Sequence, residues 1–263
     1  MEQGRLHALA DELYDALRQR TTLAPLTTRE PSITVDDAYR ISSRLLERRV
    51  ADGERVIGKK IGVTSKAVQQ MLNVHQPDFG FLTDRMQVAD GATVSLARAG
   101  LIQPRAEGEI AFVLKKDLSG PGVTREDVLA ATDHVLPCFE IVDSRIADWK
   151  IRIQDTVADN ASCGVFVLGL QRVDPRSLDL AAVRLQLFRN GEPAGEGLGS
   201  AVQGHPAEAV AWLANTLGAF GIPFLKGEVI LSGSLAPLVP ARSGDRFELS
   251  IDGLGGASVR FAT

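Results

Sequence analysis

Two short segments place carboxylates where they are costly. Arg105-Ala106-Glu107-Gly108-Glu109-Ile110-Ala111-Phe112-Val113-Leu114 has the composition of a strand. At a side-chain period of two, Glu107 and Glu109 project from one face, and Ile110, Phe112 and Leu114 from the other. A second apolar run, Leu136-Pro137-Cys138-Phe139-Glu140-Ile141-Val142, carries the lone acid Glu140. A carboxylate in such a run must be paired or must hold a metal. Three carboxylates without clustered His or Cys favour a hard divalent cation, Mg²⁺ or Mn²⁺. Simpler readings stand beside this one. Glu107 and Glu109 can both face water, and Glu140 can pair with Arg105 or Arg145.

Other polar groups are weaker signals. Gly58-Lys59-Lys60-Ile61-Gly62 puts two lysines in an apolar strand, so they point to opposite faces. The inward one is either a structural ion pair or a cation for a substrate anion. His75-Gln76-Pro77-Asp78-Phe79-Gly80 reads as a loop, in which Asp78 can be turn chemistry alone. Asp143 and Arg145 can pair with each other. The polar tract Asp155 to Ser162 leads into an apolar strand, a place where active-site groups commonly lie. Leu231-Ser232-Gly233-Ser234-Leu235 offers hydroxyls and backbone N–H groups to an anion, or only a turn. His7 and His205 read as non-catalytic, and His134 as a helix-end residue.

The elements that must position these groups follow from periodicity. Leu6, Leu9, Leu13 and Leu17 share one face of a helix over 3–20. A linker covers 21–33. A second helix starts at Thr34 with Asp37 in a capping-box position, runs through Ala38, Ile41 and Leu45, and stops before Gly53. Residues 1–54 therefore read as a helical region, and 55–263 as a separate sheet-rich region. Strand 56–62 and a short helix from Ser65 to Leu72 open the latter. Further strands are predicted at 109–115, 136–143, 164–170, 183–189, 228–233, 246–251 and 257–262, and helices at 124–134 and 206–221. Asn190-Gly191 is a hairpin turn. Strands without regular βαβ alternation predict an α+β fold built on a mixed, curved sheet or barrel.

Composition narrows the function classes. A net charge of −4 without a basic stripe argues against nucleic acid. Apolar stretches fall well short of the ~20 residues that span a bilayer, and the N-terminus lacks a signal-peptide apolar core. A cytoplasmic protein is expected. Cys138 and Cys163 are isolated and read as buried thiols. No glycine-rich nucleotide loop occurs.

Taken together, several segments resemble a known family. They are GERVIGKKIGVTSKAVQQML (53–72), HQPDFGFLTD (75–84), IQPRAEGEIAFVLKKDLSGPGVT (102–124), PCFEIVDSRIADWKIRIQDTVADNASCG (137–164) and GEVILSGSL (227–235). The chain resembles, over essentially its whole length, the 2-hydroxypenta-2,4-dienoate (2-keto-4-pentenoate) hydratases of the fumarylacetoacetate-hydrolase-like superfamily. The resemblance implies a β-roll core with flanking helices and a homo-oligomer. It also implies Glu107, Glu109 and Glu140 as ligands of Mg²⁺ or Mn²⁺, Lys60 and Asp78 as catalytic groups, and Ser162 as a polar substrate contact.

The implied reaction adds water to 2-hydroxypenta-2,4-dienoate, or a homologue, in the meta-cleavage degradation of aromatic compounds. The product is 4-hydroxy-2-oxopentanoate. The nearest rival is a decarboxylase of the 4-oxalocrotonate type, which shares the carboxylate triad. A hydrolase of acylpyruvates needs a strong base, and His75 is the candidate near these motifs. A non-catalytic partner of other pathway enzymes has no need of an open metal site.

Overall fold

The computed structural model describes residues 1–263, the side chains of Ala67 and Met71 excepted. Helices α1 (Gln3–Gln19), α2 (Leu26–Arg29) and α3 (Val35–Ala51) open the chain. Strand β1 (Val56–Gly62), helix α4 (Lys66–Leu72) and strand β2 (Asp78–Thr83) follow, then the short β3 (Gln87–Val88) and β4 (Thr93–Ser95) and the long β5 (Arg105–Leu114). Helix α5 (Arg125–Ala131) runs directly into β6 (Thr132–Val142), and α6 (Ile153–Ala158) precedes β7 (Cys163–Leu168). The hairpin β8 (Arg184–Arg189) and β9 (Glu192–Leu198) leads to α7 (Pro206–Gly218). Strands β10 (Val229–Leu231), β11 (Val239–Pro240), β12 (Arg246–Ile251) and β13 (Gly255–Ala262) complete the fold.

Two sheets carry the architecture. The larger runs β2-β1-β10-β5-β6-β7-β3, with β11 paired to β5; the smaller runs β4-β13-β12-β8-β9. The larger is mixed, since β1 lies parallel to β10 and β3 to β7 while its other pairs are antiparallel. The class is α+β, with a mixed curved sheet and flanking helices, as the strand pattern predicts. The sheets pack face to face, and Phe139 of β6 meets Phe247 of β12 edge-on at 6.5 Å. Ile110, Phe112 and Leu114 point into this core. Ala111, Leu136, Cys138 and Phe166 form a second cluster on the opposite face of the large sheet. That second face is the one bearing Glu107 and Glu109, so the alternation read from sequence holds.

Local chemistry explains the helix boundaries. Thr34 and Asp37 form a reciprocal capping box at the start of α3, and Thr124 and Asp127 form another at α5. Leu6, Leu9 and Leu13 of α1 pack with Ile41 and Leu45 of α3 and with Val157 and Ala158 of α6. The helical layer is thus tied to the segment just before β7. Asn190 and Gly191 both have positive φ (56° and 86°), the requirement of the tight hairpin joining β8 and β9.

Three expectations are corrected. The helix expected over 124–134 stops at Ala131, where the Thr132 hydroxyl bonds back to Val128 O. The chain then joins β6, and His134 is a strand residue beside Asp133, not a helix end. Asp78 does not lie in a loop: it opens β2, whose residues pair antiparallel with β1. Pairing with a neighbouring strand overrides the turn preference of Pro77. The polar tract 155–162 is largely helical, comprising most of α6 and a 3₁₀ turn at Asn160–Ser162.

Gly108, between the two strand acids, faces the core. A Cβ there would lie 2.4 Å from Leu185 Cδ1 of the second sheet. Replacing it with valine overpacks the junction of the two sheets. We expect Gly108→Val to lower stability by about 1–3 kcal/mol, seen as a reduced urea midpoint. An unchanged midpoint would show that the sheets part freely at this position.

Candidate active site

Five strands and one turn bring the site together. Glu107 of β5 lies directly across from Glu140 of β6 in the antiparallel register. Glu109 is two residues further on the same face of β5, so three carboxylates from two adjacent strands converge. Each offers an oxygen within 4.8 Å of the others. Glu109 and Glu140 are fully buried, and Glu107 is the partly exposed member. Glu109 Oε2 accepts the N–H of Gly233, just past β10, at 2.8 Å. Its Oε1 and both oxygens of Glu140 are buried without a hydrogen-bond partner.

Lys60 and Asp78 complete the charged cluster. Lys60 Nζ lies 3.2 Å from Glu140 Oε1, an ion pair outside hydrogen-bond alignment. Neither Arg105 nor Arg145 takes that place. Arg105 stacks its guanidinium 4.4 Å from the Trp149 ring centroid, and Arg145 is bound to Asp159. Lys59 points the other way, paired with Glu228 and over the Phe224 ring. Asp78 pairs with Gly62 in the β1–β2 register. A Cβ on Gly62 would fall 2.3 Å from Asp78 Oδ1 and 3.4 Å from Lys60 Nζ. The absent side chain is what admits both groups.

The turn before β7 is held in an unusual conformation. Asn160, Ala161 and Ser162 all have left-handed φ (53°, 50° and 54°). Such residues cost roughly 1–3 kcal/mol each and persist only where surroundings over-determine them. The Asn160 side chain bridges to Phe81 N (2.8 Å) and Phe81 O (3.0 Å) of β2. Ser162 O accepts the N–H of Asp143 at 2.8 Å. Arg145 bonds the Asp159 carboxylate through its backbone and side chain and Asp159 O through Nη2. Asp143 turns mainly to the N–H groups of Ile102 and Gln103. The Ser162 hydroxyl is buried against Thr156 Oγ1 at 3.0 Å.

The electrostatics follow from burial. Burial, and next the charge of Glu140, push Glu107 up to about 8. Burial and the charges of Glu140 and Glu107 push Glu109 well above the usual carboxylate range. Burial likewise raises Asp78, against the opposing pull of Lys60. For Lys60 burial disfavours the charge, but Glu140 and Asp78 outweigh it and the amine is held protonated. One lysine does not balance this concentration of carboxylate. Oxygen-only donors, several of them orphaned and held close, fit a hard divalent cation.

The sequence singled out Glu107, Glu109, Glu140, Lys60, Asp78 and Ser162. The structure brings the three glutamates together with Lys60 and Asp78, and places Ser162 in the turn braced against β2. His75 is exposed. Three contributors were missed. Asn160 and Thr156 lay within a tract flagged only as polar. Tyr39 lies on α3, where nothing distinguishes it from the apolar stripe around it, yet its ring stacks on Phe79, next to Asp78.

A curved mixed sheet with this carboxylate pocket defines a class of enzyme, and the fumarylacetoacetate hydrolase C-terminal family matches residues 54–262; the chain belongs to that family. Within it the relatives are specific. The chain is 76% identical to a 2-hydroxyhexa-2,4-dienoate hydratase of Comamonas testosteroni, over 95% of this chain and 94% of that one. It is 64% identical to a 2-hydroxypent-2,4-dienoate hydratase of Pseudomonas putida, over 84% of this chain and all of that one. Among solved structures, 4-oxalocrotonate decarboxylase from Pseudomonas putida G7, complexed with magnesium and adipate, superposes with a TM-score of 0.95. Its sequence identity is 36%, covering 99% of this chain and 98% of that one.

A stability consequence follows for the metal-free protein. Glu107 has an ordinary value of 4.5 and is raised to about 8 in the fold. Between those values the folded state binds more protons than the unfolded one, so stability falls as pH rises. We expect the metal-free melting temperature to drop between pH 5 and pH 8, and the drop to shrink in Glu107→Gln. An identical slope in that variant would remove Glu107 as its source.

Proposed function

We propose that the chain is a metal-dependent hydratase, a hydro-lyase that adds water to 2-hydroxypenta-2,4-dienoate or a close homologue. The product is 4-hydroxy-2-oxopentanoate or its homologue, in the meta-cleavage degradation of aromatic compounds. The observation that carries this reading is the convergence of three carboxylates, two of them fully buried, beside Lys60 and Asp78, in a chain 76% identical to a dienoate hydratase.

Glu107, Glu109 and Glu140 would hold a divalent cation, Mg²⁺ or Mn²⁺. When bound, that ion supplies Lewis-acid stabilisation of negative charge on the substrate's carboxylate and C2 oxygens. Lys60, held protonated, draws the anionic end of the substrate toward the pocket and offsets charge on its enolate form. The dienol must take a proton at C5 to become a 2-oxo-3-enoate. Water then adds at C4 and a proton arrives at C3. Asp78, whose burial raises its proton affinity, is the group that moves protons or orients the water. Ser162 supplies a hydrogen bond to the substrate, its hydroxyl oriented by Thr156.

In this reading residues 55–263 form the catalytic β-roll and 1–54 a helical region packed on it. The protein works as a cytoplasmic homo-oligomer alongside other enzymes of its pathway. No helix among the described residues is long and apolar enough to cross a membrane. A 4-oxalocrotonate-type decarboxylase is the second reading, favoured by the 0.95 TM-score to that enzyme. The higher identity to hydratases sets it behind.

The deciding assay follows ultraviolet loss of the dienol, with and without added Mg²⁺ or Mn²⁺, and identifies the product. Metal-dependent 4-hydroxy-2-oxo acid is expected. Release of CO₂ from 4-oxalocrotonate, without dienol hydration, would select the decarboxylase. In the same assay Asp78→Asn should lower turnover by roughly the 10²–10⁴-fold of a lost general base, with metal affinity kept. Unimpaired turnover at saturating substrate would reduce Asp78 to a structural residue. Lys60→Ala should lose rate by orders of magnitude, whereas Lys59→Met should change turnover only mildly while lowering stability. The reverse order of rate losses would put the wrong lysine in the site.

A further inference from the structure

We propose that Tyr39 is a positioning residue of the active site, its ring clamping Phe79 and so fixing the backbone that carries Asp78. This deepens the hydratase reading and rests on it for the role of Asp78.

Strand β2 is an edge strand, paired only with β1 in the large sheet. Asp78 is its first residue, at the end where the ladder begins. A strand end with one neighbour frays unless something else holds it. The Asn160 side chain fixes β2 further along, at Phe81. At the Asp78 end Tyr39 supplies an external brace. Its ring lies 4.3 Å from the Phe79 ring at an interplanar angle of 14°, and Phe79 meets Phe81 edge-on at 6.1 Å. Such pairs stabilise modestly beyond the area they bury. That is small beside global stability but large for the fraying of one strand end.

The brace is itself anchored. Ile41 and Leu45, on the same helix as Tyr39, are buried against α1 and α6. Tyr39 is therefore fixed to the helical layer, outside the matched family region of 54–262. Successive side chains of a strand alternate in direction, so Phe79 and Asp78 point to opposite sides of one peptide. Holding the Phe79 ring holds the plane from which the Asp78 carboxylate projects. The phenol is also near the site. Burial first, and then the charge of Asp78, raise Tyr39 far above its ordinary value, so the hydroxyl stays neutral. A stack that served only as core packing would influence melting temperature and nothing at Asp78.

The test compares Tyr39→Phe, which keeps the ring, with Tyr39→Leu, which removes it. Hydrogen exchange over residues 74–83 reads the positioning without any assay of activity. Faster exchange at the start of β2 is expected in Tyr39→Leu and not in Tyr39→Phe. Turnover should fall roughly 10²-fold in Tyr39→Leu, the scale of a small misplacement of a reacting group. KM and Mn²⁺ affinity by calorimetry should stay near wild type, and Tyr39→Phe should restore the rate. In an Asp78→Asn background, Tyr39→Leu should cost little further turnover. Unchanged exchange in Tyr39→Leu would overturn the proposal. Equal losses from the Phe and Leu variants would do the same, as would a full additional loss on top of Asp78→Asn. Should the wild-type protein fail to hydrate the dienoate, the hydratase reading falls, and the exchange data still decide whether Tyr39 holds this strand.

Discussion

The structure depends on bringing like charges together out of water. Glu107, Glu109 and Glu140 converge on one face of the large sheet, and Glu109 and Glu140 are fully buried. Carboxylates so placed repel one another and lose hydration, which is why Glu107 and Glu109 are pushed upward in proton affinity. The chain tolerates the arrangement because the acids are built on the middle of a sheet. Strands β5 and β6 pair over nearly their whole length, with Glu107 opposite Glu140. Backbone pairing and the packed core behind Gly108 fix the positions, and the charges must accept them. Such preorganisation lowers the ordering cost of binding a dication there.

Around this centre the other parts have definite tasks. Lys60 supplies one positive charge beside Glu140, not enough to neutralise the glutamates. Asp78 comes from the sheet edge, where small movements are allowed. The left-handed turn 160–162 and the stack on Phe79 limit those movements from two sides. Arg145 and Asp159 bury a full ion pair behind the turn. Their mutual satisfaction, with further bonds to Cys163 O and Asp159 O, lets that pair lie in the interior.

Much of the site was legible in the sequence, for physical reasons that differ by residue. Glu107 and Glu109 announced themselves because alternation on a strand is strict, and Glu140 because an acid in an apolar run needs an explanation. The capped helices and the Asn190-Gly191 hairpin were legible because caps and tight turns are local chemistry. Pro77 and Gly80 carry turn signals that point to a loop at Asp78, whereas pairing with β1 is a distant event that no local pattern encodes. His134 reads as a helix end because α5 passes into β6 without a break, so no turn residue marks the border. Tyr39 was invisible: its partner Phe79 lies 40 positions away, and on α3 it differs little from its apolar neighbours.

The segment Gly58-Lys59-Lys60-Ile61-Gly62 has one more consequence. Because a lysine stands on each face, sliding β1 by one residue would still bring a lysine to Glu228 in one direction or to the carboxylate pocket in the other, though not to both at once. Charge alone therefore resists a slip only by the loss of one ion pair, which leaves some ambiguity in the alignment of this strand. Its two glycines remove the ambiguity by bulk. A Cβ at Gly58 would lie 2.0 Å from Val229 O, and one at Gly62 lies in the space of the Asp78 carboxylate. A shift in either direction brings a lysine, an isoleucine or a valine into a position that admits only hydrogen. The strand thus carries a steric key with two notches four residues apart, and the lysine between them that enters the pocket is chosen by where backbone and carboxylate leave no room.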